Sequence, residues 1–159
     1  MNVALGADHG GFRLKEEIAV LLQGMGVAYQ DFGTCSEESV DYPDFARVVA
    51  EKVAAGVCDL GIICCGTGIG VAITANKVPG VRAAVCHDTY SARMSREHNN
   101  ANVLTLGGRV VGPGLAGDIV RTWLSAGFAG GRHQRRLEKI ERMEQEYAPS
   151  RRLRGSCVF

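Results

Sequence analysis

The chain has no apolar run approaching the roughly 18 residues that a membrane-crossing helix needs, which excludes a transmembrane helix. Its net charge is only +1 at pH 7, so we expect neither nucleic acid nor a membrane surface as a partner. No secretory signal precedes the first strand-like segment, and we therefore expect a cytoplasmic protein. What remains is a globular domain, and 159 residues are enough for one.

None of the six cysteines forms a C-x-x-C pair, which argues against a redox motif or a zinc motif. A domain of this length buries about 70% of the surface of its unfolded chain and needs no disulfide bond for stability. We therefore expect reduced thiols and no metal centre. The cysteines are Cys35, Cys58, Cys64, Cys65, Cys86 and Cys157.

Short apolar runs alternate with segments of helical periodicity along most of the chain. This alternation is typical of an α/β protein, in which a mostly parallel sheet carries helices on both faces. The predicted domain covers residues 1–148, and 149–159 is predicted to be a flexible tail. The predicted strands are 2–6, 27–32, 59–64, 81–86 and 103–106, and the predicted helices are 11–25, 43–55, 69–77, 89–97 (capped by Asp88), 113–125 and 134–147.

Polar and glycine-rich segments follow several of the predicted strands. The turn from Asp8 to Gly11 follows the first strand, the loop from Cys65 to Gly70 follows the third, and Arg109 follows the fifth. In parallel sheets ligands bind beyond the carboxyl ends of the strands. We expect these groups to converge at one rim, together with the segment His98-Asn99-Asn100 at the end of the fourth helix.

The loop after the third strand is the best candidate for a reactive centre. Cys64 is predicted to face the core, whereas Cys65 lies at the turn, where main-chain N–H groups and a helix N-terminus favour a thiolate. We expect the amides from Gly66 to Gly70 to form a nest that binds an oxyanion. The spacing matches neither a Walker loop nor a C-x-x-x-x-x-R phosphatase loop. The alternative is that Cys65 is a buried structural thiol.

Basic residues cluster where the last helix is predicted to begin. Arg132, His133, Arg135 and Arg136 lie near a helix N-terminus, where positive charge opposes the helix dipole. A bound anion would explain the cluster, as would a solvated face or an ion pair between subunits. His9 and His98 are candidates for proton transfer or phosphate contact.

Six motifs taken together resemble the type B ribose-5-phosphate isomerases, a family that includes galactose- and allose-6-phosphate isomerases. The resemblance implies a Rossmann-like three-layer α/β/α sandwich around a five-stranded parallel sheet. It also implies aldose–ketose isomerisation of a sugar phosphate without metal or organic cofactor, by a homodimer or homotetramer whose active sites are shared between subunits. The motifs are GADHGGFRLKE, DFGT, DYPDFA, IICCGTGIGVAITANKVPGVRAAVCHD, YSARMSREHNNANVLTLGGRVVG and GGRHQRRLEKI.

The same resemblance assigns roles to individual residues. Cys65 matches the base that moves a proton between C1 and C2, Thr67 the hydroxyl that assists it, and His98 the residue that opens the sugar ring. The substrate-binding positions that the resemblance implies are Asp8 for sugar hydroxyls, the amides of Gly66, Gly68 and Gly70 for the enediolate, His9, Arg109, Arg132 and Arg136 for phosphate, and Asn99 and Tyr42 for the lining of the site.

Three alternatives to a ribose 5-phosphate isomerase are open at this point. The first is an isomerase of a hexose 6-phosphate. The second is a sugar-phosphate-binding subunit without activity, and the third is a dinucleotide-binding protein. A dinucleotide fold would use the glycines after the first strand together with Asp31. Against it, Asp8 would repel a pyrophosphate there, and the glycine spacing is not G-x-G-x-x-G.

Overall fold

The computed structural model describes residues 1–147; the tail predicted at 149–159 lies outside the described residues. Strands and helices alternate through most of the described chain, as the apolar pattern predicts. The strands are β1 (Asn2–Ala7), β2 (Ala28–Asp31), β3 (Leu60–Cys65), β4 (Ala83–Val85) and β5 (Val103–Gly107). The helices are α1 (Phe12–Gly24), α2 (Tyr42–Ala54), α3 (Ile69–Ala75), α4 (Thr89–Glu97), α5 (Pro113–Ser125) and α6 (Arg132–Tyr147).

The five strands form one sheet in the order β2-β1-β3-β5-β4, and every neighbouring pair is parallel. This confirms the predicted five-stranded parallel sheet. The chain leaves β1 towards one edge of the sheet and builds the other half from β3 onwards. The topological switch point therefore lies between β1 and β3, and in sheets of this type ligands bind beyond the carboxyl ends of the strands at such a point.

Helices cover both faces of the sheet, which confirms the three-layer sandwich. One hydrophobic core lies between the sheet and α1, α4 and α5, and it includes the fully buried Trp123. The second core lies between the sheet and α2 and α3. Every residue of β3 is buried, as its nearly continuous apolar sequence requires of a central strand.

The ends of the predicted elements lie within two residues of those in the structure. Strand β4 begins later than predicted, because the Arg82 N–H donates to the Asn102 side chain (2.7 Å). Strand β3 extends one residue further, because Cys65 still pairs with Gly107 of β5. Among residues 1–147, no helix combines the length and the apolar character that crossing a bilayer requires.

Candidate active site

The turn after β1 lies against the end of β3 at the switch point. Asp8 is buried, and its Oδ1 accepts a hydrogen bond from the Gly11 N–H (3.0 Å). A methyl group on Gly11 would come within 2.3 Å of the carbonyl carbon of Cys64. The glycine-rich turn therefore lets the backbone after β1 pass directly over the end of β3.

Cys65 is the last residue of β3 and is only 5% exposed in the single chain. Its Sγ accepts a hydrogen bond from the Gly68 N–H at 3.1 Å. Gly68 has φ of +79°, a conformation that favours glycine and turns this N–H back towards the sulfur. A hydrogen bond from a main-chain amide stabilises negative charge on the acceptor, so this environment suits a thiol that acts as a base.

The neighbouring thiol has a different environment. Successive residues of a strand face opposite sides of the sheet, so Cys64 packs in the core beneath α1 and α5 while Cys65 packs towards α2 and α3. Cys64 is fully buried, and burial raises the pKa of its thiol. This confirms the prediction that Cys64 is a core residue and leaves Cys65 as the candidate nucleophile or base.

Thr67 lies at the middle of the loop and is held at two atoms. Its Oγ1 accepts a hydrogen bond from the Ile69 N–H at 3.3 Å. Its main-chain oxygen lies 3.1 Å from Nε2 of His87, which is the second residue after β4. The sequence prediction did not include His87, although this residue follows a strand just as Cys65 and Arg109 were predicted to do.

Two more predicted residues lie beside the loop. The Tyr42 ring covers Gly70 so closely that a methyl group there would lie 2.8 Å from ring carbons. The Arg109 guanidinium flanks Gly66, and the Arg109 N–H donates to the Gly66 carbonyl (3.1 Å). The structure therefore brings Asp8, Cys65, Thr67, Tyr42 and Arg109 to one edge of the sheet.

A small pocket with basic walls opens next to this loop. The His9 ring is held in place because its Nδ1 lies 3.2 Å from the main chain of Val40, and Arg109 lines the same pocket. Arg13 and Glu37 form its outer wall, with Arg13 Nη2 donating to Glu37 at 3.0 Å. The hydrogen bond from Arg13 lowers the pKa of Glu37. Cationic and imidazole groups at this spacing suit an anion such as a phosphate.

The remaining predicted residues form a second cluster in α6 and at the end of α4. The rings of His98 and His133 stack with centroids 4.1 Å apart, and Arg132 Nε lies 3.4 Å from His133 Nε2. Arg136 is exposed one helical turn further along α6. Burial, followed by the charges of His98, Arg132 and Arg136, lowers the pKa of His133.

The part of this second cluster at the end of α4, His98 and Asn99, is not at the rim where the prediction placed it. Helix α4 begins after the carboxyl end of β4 and runs back, so His98 and Asn99 lie near the amino ends of the strands. The next turn confirms this direction, because the Asn102 carbonyl accepts from Gly61 at the start of β3 (2.9 Å). Gly61 and Cys65 are separated by about 13 Å along the strand. The prediction that the segment His98-Asn99-Asn100 converges with the Cys65 loop at one rim is therefore wrong.

Comparison with known proteins shows relatives over almost the whole described chain. The family model described as Ribose/Galactose Isomerase matches residues 3–140. Ribose-5-phosphate isomerase B of Escherichia coli is 53% identical over 144 residues, covering 91% of this chain and 97% of the relative. D-erythrulose-4-phosphate isomerase of Pectobacterium atrosepticum is 45% identical over 147 residues, with 92% and 97% covered.

A solved structure shows the same fold. Ribose-5-phosphate isomerase B of Clostridium thermocellum superposes with a TM-score of 0.92 at 59% identity, and the match covers 93% of this chain and 100% of that one. Sequence, fold and the ordered motifs lead to the same conclusion. The chain belongs to the ribose/galactose isomerase family and is an aldose–ketose isomerase.

Proposed function

We propose that this isomerase interconverts ribose 5-phosphate and ribulose 5-phosphate, with Cys65 as the base. The observation that carries the proposal is the hydrogen bond from the Gly68 N–H to Cys65 Sγ within a glycine loop, next to the basic pocket of His9 and Arg109. The similarity to the E. coli ribose-5-phosphate isomerase B supports this choice of substrate. A catalytic thiol stays reduced in the cytoplasm, where we expect the enzyme to act.

In the proposed reaction the Cys65 thiolate removes the proton from C2 of the open-chain aldose. The electron pair of that C–H bond forms the C1–C2 double bond of an enediolate, and negative charge develops on O1. Main-chain N–H groups of the loop stabilise that oxygen, while the Thr67 hydroxyl passes the O2 proton to O1. The Cys65 thiol then returns its proton to C1, which yields the ketose and regenerates the thiolate.

The sugar phosphate group would occupy the pocket beside the loop. His9 and Arg109 contact it there, while Asp8 binds sugar hydroxyls and Tyr42 lines the site. Binding energy at the phosphate is remote from the reacting carbons and holds C1 and C2 against the thiol. The presence of Cys65, Thr67 and His98 in addition to the phosphate contacts favours an active enzyme over a binding subunit.

We further propose that a partner subunit completes each site. The second cluster lies near the amino ends of the strands, whereas Cys65 lies at a carboxyl end. Within one chain the two groups therefore cannot act on the same substrate molecule. The cluster residues concerned are His98, Asn99, Arg132 and Arg136. A two-fold dimer brings this cluster of one subunit to the Cys65 loop of the other, because both partners use the same surfaces in exchanged roles. His98 would then open the furanose ring across the subunit interface.

The length of the sugar is the open part of the proposal. The relative from P. atrosepticum is named for a four-carbon substrate, and the family model's description includes galactose. A kinetic panel of tetrose, pentose and hexose phosphates on one preparation decides between them. We expect the highest kcat/KM for ribose 5-phosphate, and a higher value for another sugar would replace it as the substrate.

Replacing Cys65 tests the chemistry, with its neighbour as the matched control. Cys65→Ala is expected to lower kcat by about 1000-fold, the usual contribution of a positioned base. Cys64→Ala removes a thiol of equal size from the opposite face of β3 and should change kcat less than about 3-fold if the protein folds. Steady-state kinetics with ribose 5-phosphate measures both. A Cys65→Ala variant with near-normal kcat would exclude the thiol as the base.

A further inference from the structure

His87 has no part in the reaction proposed above, yet it contacts the catalytic loop. In the chain it lies between Cys86, which is buried in the first core, and Asp88, whose side chain caps α4. Its ring is half-buried, and Nε2 lies 3.1 Å from the main-chain oxygen of Thr67. A carbonyl oxygen can only accept, so Nε2 carries the proton and donates it.

The peptide unit that His87 contacts is the same unit that contacts the thiol. The Thr67 carbonyl and the Gly68 N–H belong to one peptide group, which is planar, with its O and H on opposite sides. His87 therefore donates to one end of this group while the other end donates to Cys65 Sγ at 3.1 Å. Fixing the oxygen fixes the direction of the N–H, and a hydrogen bond to the oxygen also polarises that N–H.

The orientation of this peptide depends on the conformation of Gly68 and on the groups that contact the Thr67 oxygen. Gly68 has φ of +79°, a left-handed conformation that favours glycine because it has no Cβ. On the opposite side the peptide lies against β5, where a methyl group on Gly107 would come within 2.8 Å of the Thr67 oxygen. His87 contacts the oxygen itself and so selects the orientation in which the Gly68 N–H faces Cys65.

We infer that His87 is a positioning residue, which holds the Thr67–Gly68 peptide so that its N–H stabilises the Cys65 thiolate. The kinetic consequence rests on the proposed function of Cys65, whereas the structural consequence does not. Since His87 acts through the loop and not on the phosphate, its loss should lower kcat and leave KM nearly unchanged.

Two substitutions separate the hydrogen bond from the rest of the side chain. His87→Leu keeps the bulk and removes the donor, and we expect kcat to fall by about 10- to 100-fold, with KM within 2-fold, as for a small misplacement of a catalytic group. His87→Gln keeps an N–H donor and is expected to retain kcat within about 3-fold. Equal losses in the two variants, or no loss in His87→Leu, would overturn the inference.

A second measurement does not depend on activity. Nitrogen NMR of the wild-type His87 ring should show a proton on Nε2, and amide hydrogen exchange at Gly68 should become at least about 10-fold faster in His87→Leu but not in His87→Gln. A neutral ring with its proton only on Nδ1, or unchanged Gly68 exchange in the Leu variant, would refute the contact. If the wild-type protein fails to isomerise any sugar phosphate while these NMR results hold, the proposed function fails and the positioning of the loop by His87 stands.

Discussion

At the scale of single residues, the site depends on backbone groups that reach very close to one another. The sulfur of Cys65 accepts a hydrogen bond from a loop amide, and Gly11 packs directly on the carbonyl group of Cys64. These contacts explain why glycine follows so many of the strands. Both thiols are buried, Cys64 in the first core and Cys65 in the second, and the loop amide donates to the sulfur of Cys65.

Gly11 shows how little space this arrangement leaves. Gly11→Ala would place a methyl carbon 2.3 Å from backbone atoms of Cys64, which cannot move without disturbing β3. We expect the free energy of unfolding to fall by about 3 kcal/mol, at the upper end of overpacking effects. Urea denaturation measures the change, with loss of isomerase activity in parallel.

Gly24→Ala is the matched control, because Gly24 lies at the other end of α1 with no heavy atom within 4 Å of the added carbon. Alanine favours helix, so this variant should equal or exceed the wild-type stability by up to about 1 kcal/mol. Equal stabilities of the two variants would show that the turn after β1 can relax.

At the scale of elements, one buried charge ties α1 to the loop that follows β2. Lys15 lies on α1 and is 1% exposed, and its ammonium donates to Asp31 at 2.5 Å and to the Thr34 carbonyl at 3.0 Å. Burial opposes the charge, but the hydrogen bonds to Asp31 and Glu16 outweigh it and raise the pKa of Lys15. The contact orders the segment that leads to Val40, against which His9 is held.

Lys15→Met removes this cation and leaves the Asp31 carboxylate and the Thr34 carbonyl without it. We expect a loss of about 2 to 3 kcal/mol in unfolding free energy, less than for a fully buried pair because the Asp31 side chain is 35% exposed. Arg47→Met, which breaks an exposed pair with Glu51, should cost less than about 1 kcal/mol. Similar losses in both variants in urea would contradict the prediction.

The pH dependence of this contribution has a definite sign. A lysine whose pKa is raised in the folded protein contributes stability that is fully present below its unfolded value of 10.5 and is lost as the pH rises through the folded value. The difference in stability between wild type and Lys15→Met should therefore be constant near neutral pH and shrink above about pH 10.5.

At the scale of the whole molecule, the two halves of the proposed site lie at opposite ends of the strands of one sheet. The loop with Cys65 follows β3 at the carboxyl edge, whereas His98 follows α4 at the amino edge. A single chain therefore carries every candidate group but brings together only half of the proposed site. Two copies related by a two-fold axis would assemble two complete sites.

Mixed dimers test this arrangement. Cys65→Ala and His98→Asn subunits, each nearly inactive alone, should regain about a quarter of wild-type activity when refolded together in equal amounts, because half of the dimers are mixed and carry one intact site. The control mixes Cys65→Ala with Asp8→Asn, two changes in the same half, and should regain nothing. Recovery in the control, or none in the test pair, would exclude shared sites.

The sequence by itself determined the elements and the sheet class of this protein. Alternating apolar and helical periodicity predicted every described strand and helix, most clearly the central strand β3, because burial against two layers of helices demands a continuous apolar strand. It also singled out the loop from Cys65 to Gly70, since residues after parallel strands lie at a shared edge. These signals are local, or follow from the direction of the chain.

Only the tertiary structure decided which groups meet. The burial of Lys15 and the contact of His87 with Thr67 join segments 16 and 20 residues apart, and no pattern within either segment encodes them. The separation of His98 from Cys65 arises because α4 runs antiparallel to the strands and returns its end to the opposite edge. Which residues lie close in space depends on how the helices pack on the sheet. The positions of the strand ends in the sequence do not contain that information.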